Sequence, residues 1–123
     1  MNPTETIFVY GTLRPGGSNH FRLADSASLG AATVCGRLYR VDWYPALIPD
    51  ASAGAVAGEL FAVSPDTLAS LDAFEGSEYR RVRIAVTPAD GGAAVTAWIW
   101  EFIAPVDETR RIATGDWLSV DLG

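Results

Sequence analysis

The sequence predicts an α+β fold: a curved, mixed but mostly antiparallel β-barrel-like sheet with two or so short helices. Three observations predict it. Strand-like stretches, about five or six of them, outnumber helical ones. Turn signals rather than long crossovers separate most of them, which favours antiparallel neighbours. No internal repeat or low-complexity linker interrupts the 123 residues, so a single domain over 1–123 is expected.

The first strand is expected at Ile7-Phe8-Val9-Tyr10, β-branched and aromatic residues that suit a buried pleated strand. Gly11, Pro15, Gly16 and Gly17 then end the ladder and permit unusual backbone angles. A strand feeding such a loop can aim successive N–H groups at one point, a receptor for a carboxylate or an oxyanion. Taken alone, the same residues read as no more than a first strand and its turn.

Asn19 to Ser26 reads as a short helix capped by Ser18 or Asn19. Ala32 to Trp43 alternates apolar residues with Arg37, Arg40 and Asp42, the pattern of a half-buried strand. Trp43 to Pro49 is apolar but holds two prolines, so it reads as a loop or edge segment, covering the core or walling a pocket. Glu59 to Val63 is a further strand. Ser64-Pro65-Asp66 signals a helix start, with Ser at the N-cap, Pro at the first position and Asp in the first turn. That helix runs to about Phe74 or Glu75, and Gly76 stops it. Tyr79 to Pro88 alternates as a strand, Asp90-Gly91-Gly92 makes a hairpin turn, and Ala94 to Ile103 returns with Trp98 and Trp100, read as facing the core, with a ligand-facing strand as the alternative. Pro105 to Gly123 is expected to tuck against the sheet.

Composition excludes several functions. The net charge of −6, with no basic cluster longer than Arg80-Arg81 or Arg110-Arg111, argues against nucleic-acid and anionic-membrane partners. A lone cysteine, Cys35, forms no internal disulfide, and its strand-like setting predicts a buried apolar role in a reducing compartment. His20 is the single histidine, and no nucleophile elbow accompanies it, so a Ser-His or Cys-His triad is not indicated. One His and one Cys also make a poor metal-ligand set, and no metal is expected. Neither a signal-peptide pattern nor a membrane-length apolar run is present, so a cytoplasmic location is expected.

One residue breaks the helical pattern. On a wheel of Pro65 to Glu75, Leu68, Leu71 and Phe74 form an apolar stripe, and Glu75 projects between Leu68 and Leu71. A carboxylate there is desolvated and also stands at the helix end where the dipole disfavours negative charge. Both effects raise its pKa toward neutrality, where a group can take a proton and return it. Should the helix unwind earlier, Glu75 is instead solvated or paired with Arg80 or Arg81.

Tyr10-Gly11-Thr12-Leu13 resembles the N-terminal Tyr-Gly-(Ser/Thr)-(Leu/Asn) loop of the γ-glutamylcyclotransferase-like superfamily. Leu71-Asp72-Ala73-Phe74-Glu75-Gly76, followed by Tyr79-Arg80-Arg81-Val82, resembles its Leu-Asp-x-x-Glu-Gly…Tyr-x-Arg block. Tyr44-Pro45-Ala46-Leu47 and Gly58-Glu59-Leu60-Phe61 match further landmarks in order, so the similarity spans about residues 6 to 103. Val9 to Gly16 with Asn19-His20 looks most like the AIG2-like, γ-glutamylamine cyclotransferase branch.

The resemblance implies a β-barrel with peripheral helices and a small-molecule γ-glutamyl substrate. It also implies a reaction without metal or organic cofactor. The α-amine of the substrate attacks its own γ-carbonyl, releasing 5-oxoproline and an amine or amino acid. By carry-over Glu75 is the catalytic base and acid. The N–H groups of Gly11, Thr12 and Leu13 hold the α-carboxylate and assist the oxyanion, with Tyr10 and Tyr79 lining the pocket. Tyr10 and Tyr79 read also as core tyrosines, Arg14 as a carboxylate attractor or a solvated loop residue, and Asp72 as a structural hydrogen-bonding residue. The rival functional reading is a non-catalytic module that binds a small carboxylate on the same fold; a purely structural domain is the third.

Overall fold

A computed structural model describes residues 3–120. Its central strand, β1 (Glu5–Val9), is covered on both faces, which explains why its apolar run does not alternate. Phe8 points with Val34, Leu60 and Ile99 into the sheet's closed interior. Ile7 and Val9 point the other way, against Leu68 and Leu71 of α1 (Pro65–Glu75), the one α-helix among the described residues. The sheet is thus a wall between two cores.

The remaining strands are β2 (Ala27–Arg40), β3 (Pro45–Pro49), β4 (Ala55–Val63), β5 (Tyr79–Pro88) and β6 (Val95–Phe102), in the spatial order β3-β2-β4-β1-β6-β5. All pairings are antiparallel except β1 with β6, where Ile7 faces Trp98. A second edge of β2 then reaches β5 through Ala32–Pro88 and Thr33–Thr87, closing the curved sheet into a barrel. The expected fold class holds.

Local chemistry sets the helix. The Ser64 hydroxyl accepts from Thr67 N–H, Pro65 occupies the first turn, and Gly76 at φ +81° stops the helix directly after Glu75. β5 and β6 follow the expected boundaries closely, pairing from Tyr79–Phe102 to Val86–Val95 around the Asp90-Gly91-Gly92 turn.

Several expectations need correction. The first helix is only a 3₁₀ turn over His20–Leu23, and Asn19 offers no side-chain cap to it. Instead the Asn19 amide donates to Thr12 Oγ1 and its oxygen accepts from Arg22. β2 begins at Ala27 rather than Ala32, because a bulge between Ser28 and Gly30 lets it continue along β4. It ends at Arg40, short of Trp43. Pro45–Pro49 is an edge strand paired to β2 alone, the one place where prolines at both ends cost no ladder bonds. Cys35 is exposed: it alternates with buried Val34 and Gly36, facing outward. Of the two tryptophans, Trp100 is buried and also lines a cavity, while Trp98 is half-buried, packed against the helix-side core with the guanidinium groups of Arg81 and Arg83 over its ring.

The last segment does pack on the barrel. Gly115 accepts from Ala57 N–H, and Trp117 inserts into the interior core. Residues 121–123 of that stretch lie outside the described ones.

Candidate active site

β1 delivers Tyr10 to one end of the barrel, where its buried hydroxyl donates to the Trp100 carbonyl at 2.6 Å. Gly11 follows, and only glycine fits, since a Cβ there would lie 2.6 Å from Pro45 Cγ. The loop then winds on itself through Arg14 N–H to the Gly11 carbonyl (3.0 Å) and Asn19 N–H to the Thr12 carbonyl (2.8 Å). His20 Nδ1 contacts the Leu13 carbonyl at 2.9 Å.

Arg14 fixes the loop in place. Its guanidinium is 8% exposed, forks onto both Glu59 oxygens (2.8 and 2.9 Å) and reaches Asp116 at 2.6 Å. It is therefore neither the carboxylate attractor nor the solvated residue considered from sequence. Among the described residues, the N–H groups of Gly11, Thr12 and Leu13 have no protein acceptor. They are the unpaired N–H donors of this loop that belong to cavity-lining residues.

From the opposite side, α1 presents Asp72 and Glu75. Asp72 accepts from Arg81 Nε (2.9 and 3.1 Å) and from the Trp100 indole (2.9 Å). This is the structural hydrogen-bonding role expected of it. Arg80 binds Glu101 instead. Glu75, the last helical residue, is left with neither arginine, and among the described residues its carboxyl group has no hydrogen-bond or ion-pair partner. Tyr79 donates its hydroxyl to the Pro45 carbonyl at 2.6 Å and packs edge-on against Phe102.

These groups meet in one cavity of about 240 Å³, lined by Tyr10, Gly11, Thr12, Leu13, Glu75 and Tyr79 together. The residues named from the sequence as catalytic or substrate-binding are thus all on its wall, and Arg14, considered as a carboxylate attractor, is not. Trp43, Tyr44, Pro45 and Glu78 also line it, so the apolar proline segment does wall a pocket. No pattern in the sequence marks Glu78, because its placement depends on where the turn after Gly76 goes.

The electrostatics centre on Glu75. Burial, and then the nearby negative charge of Asp72, raise its pKa from 4.5 to about 7. Burial and then the charge of Glu75 push the phenols of Tyr10 and Tyr79 upward, so both stay neutral donors. A small cavity is thus lined both by the loop residues Gly11 to Leu13 and by a carboxyl group whose pKa is raised to about 7.

A curved, closed sheet with one such cavity at its end defines a small-molecule site rather than a macromolecular interface. Residues 7–119 match the family model described as gamma-glutamyl cyclotransferase, AIG2-like, and the chain belongs to that family. Among relatives, the gamma-glutamylcyclotransferase family protein YtfP of Escherichia coli strain K12 is 36% identical over 118 residues, covering 94% of this chain and 97% of that protein. The gamma-glutamylaminecyclotransferase of Rattus norvegicus is 38% identical over 93 residues, 65% of this chain and 62% of the rat protein. The crystal structure of an AIG2-like protein from Mus musculus superposes with a TM-score of 0.77 at 27% identity, covering 86% of this chain and 82% of that one.

Proposed function

We propose that the chain is a γ-glutamyl cyclotransferase-type enzyme that releases 5-oxoproline and a free amine or amino acid from a γ-glutamyl amide. The observation that carries this reading is the unpartnered Glu75 carboxyl group, with a pKa of about 7, lining the same cavity as the free N–H groups of Gly11 to Leu13. The names of the bacterial and rat relatives support the same reaction class.

The chemistry follows from proton accounting. Glu75 takes a proton from the substrate α-ammonium, and the freed nitrogen lone pair attacks the γ-carbonyl carbon. The carbonyl π electrons move to oxygen, and loop N–H groups stabilise that charge. As the C=O bond re-forms, the old C–N bond breaks and its electron pair goes to the leaving nitrogen, which takes the proton back from Glu75. The ring nitrogen gives up its surplus proton, so the amine departs as an ammonium ion. The nucleophile belongs to the substrate, so no Ser, Cys or His is required, and folding the glutamyl unit into attack geometry is the enzyme's main contribution.

Incubation with a set of γ-glutamyl amides tests the reading. Equal amounts of 5-oxoproline and amine are expected. Glutamate in place of 5-oxoproline would mean hydrolysis by water, and no product at all would leave only binding.

A further inference from the structure

We propose that Asp116 is a positioning residue for the active site: through Arg14 it sets where the N–H groups of Gly11 to Leu13 stand. The kinetic consequence rests on the reaction class proposed above; the placement of the loop does not.

β1 leaves the β4 ladder at Val9–Glu59, and the donor loop begins two residues later with Gly11. Beyond that point β4 bonds the C-terminal segment, with Ala57 N–H donating to the Gly115 carbonyl at 2.8 Å. Gly115 sits so close that a Cβ would stand 2.2 Å from the Ala55 carbonyl oxygen, and its φ of +66° also favours glycine. Trp117, on the other side of Asp116, is buried in the interior core with Phe8 and Tyr10. Further back, Ile112 N–H donates to the Leu38 carbonyl of β2 at 2.8 Å. Asp116 thus stands between two anchored neighbours.

From there it reaches the loop, 102 residues away in sequence. Its Oδ1 accepts from Arg14 Nη1 at 2.6 Å and from Leu118 N–H at 3.0 Å, which caps the 3₁₀ turn Trp117–Ser119. Arg14 is itself part of the donor loop. It follows Leu13 directly, and its N–H closes the turn onto the Gly11 carbonyl at 3.0 Å. Glu59 already takes Nε and Nη2 and by itself balances the guanidinium charge. A second carboxylate, on Nη1, adds orientation: it pins the guanidinium plane from another side with a charge-assisted bond.

Asp116→Asn separates this role from simple capping, since asparagine caps a helical turn as well as aspartate but brings no charge to Arg14. Assayed well below the melting temperature on a γ-glutamyl amide, its kcat/KM should fall by about threefold to tenfold. The loss should be shared between KM and kcat, because the same donors hold the α-carboxylate and the oxyanion. In amide NMR spectra of the ligand-free protein, the resonances of Gly11, Thr12 and Leu13 should shift. Asp116→Ser, which also caps, serves as a second variant and should lose at least as much. Asp107→Asn is the matched control: Asp107 caps the turn Glu108–Arg110 through Thr109 N–H at 2.9 Å, in the same segment, and its replacement should leave both readouts unchanged. Wild-type kcat/KM in Asp116→Asn, unmoved loop resonances, or an equal loss in Asp107→Asn overturns the inference while the cyclisation stands. Loop resonances that shift in a protein whose wild type turns over no γ-glutamyl amide would sink the cyclisation and leave the positioning of the loop by Asp116 in place.

Discussion

Asp72 and Glu75 stand three residues apart on one side of α1, and protein groups satisfy only Asp72. Arg81 and the Trp100 indole hold the Asp72 side chain in place by hydrogen bonds, and its charge is the second cause, after burial, of Glu75's raised pKa. The helix thus carries one carboxylate that tunes and one that is tuned.

A pH–rate profile reads this pair directly. Glu75 must be ionised to accept a proton, so kcat/KM should rise about tenfold per pH unit below about 7 and level off above it. Asp72→Asn removes a negative charge that raises the Glu75 pKa, so the midpoint should move to lower pH. A midpoint that stays put, or moves upward, would break the link between them.

Glu75 should also cost the fold stability when charged. Its folded pKa of about 7 exceeds the ordinary 4.5, so the folded protein binds more protons between those values. Stability should therefore fall as pH rises through that window and stay level above it. Glu75→Gln removes the cost, which is at most of order 3 kcal/mol. Thermal melts should show the variant more stable than wild type at pH 8 and nearly equal at pH 4. Equal stabilities at both values would mean that Glu75 is not desolvated.

Arg14→Met should destabilise strongly, by about 3 kcal/mol, because it leaves Glu59, only 16% exposed, without its partner. Denaturant titration at neutral pH measures this. A loss under about 1 kcal/mol would show that the fork onto Glu59 and Asp116 is not what fixes the loop.

How much of this was legible beforehand depends on the range of the contacts. The Ser64 cap, the Gly76 stop and the place of Glu75 within the apolar stripe are settled inside α1, so the sequence carried them. The alternation of β5 and the continuous run of β1 were equally local. Arg14 was not readable, because its partners lie 45 and 102 residues away. β3 was half readable: its prolines excluded a central strand, but edge pairing with β2 depends on the loop that brings Pro45 back to Arg40. Cys35 was misjudged by residue type, although the alternation around it pointed outward. Closure of the barrel at Ala32 and Thr33 leaves no local mark at all.

Gly11→Ala should damage the site while sparing the barrel. The new methyl would press on Pro45, whose carbonyl receives the Tyr79 hydroxyl, and would shift the loop N–H groups. A displacement of about 1 Å from attack geometry can cost up to about a hundredfold in rate. Steady-state kinetics on a γ-glutamyl amide should show kcat/KM down by about tenfold to a hundredfold, in a protein that still folds but melts lower, since overpacking costs about 1–3 kcal/mol. Undiminished kcat/KM would show that the close approach of Gly11 to Pro45 is irrelevant to turnover.

The central claim is that Glu75 carries the proton, and near-isosteric replacement tests it most directly. Release of 5-oxoproline by Glu75→Gln, followed at pH 8 beside the wild type on the best amide substrate, should fall by at least about a hundredfold to ten-thousandfold, with the near-UV circular dichroism unchanged. Release at the wild-type rate would contradict the account.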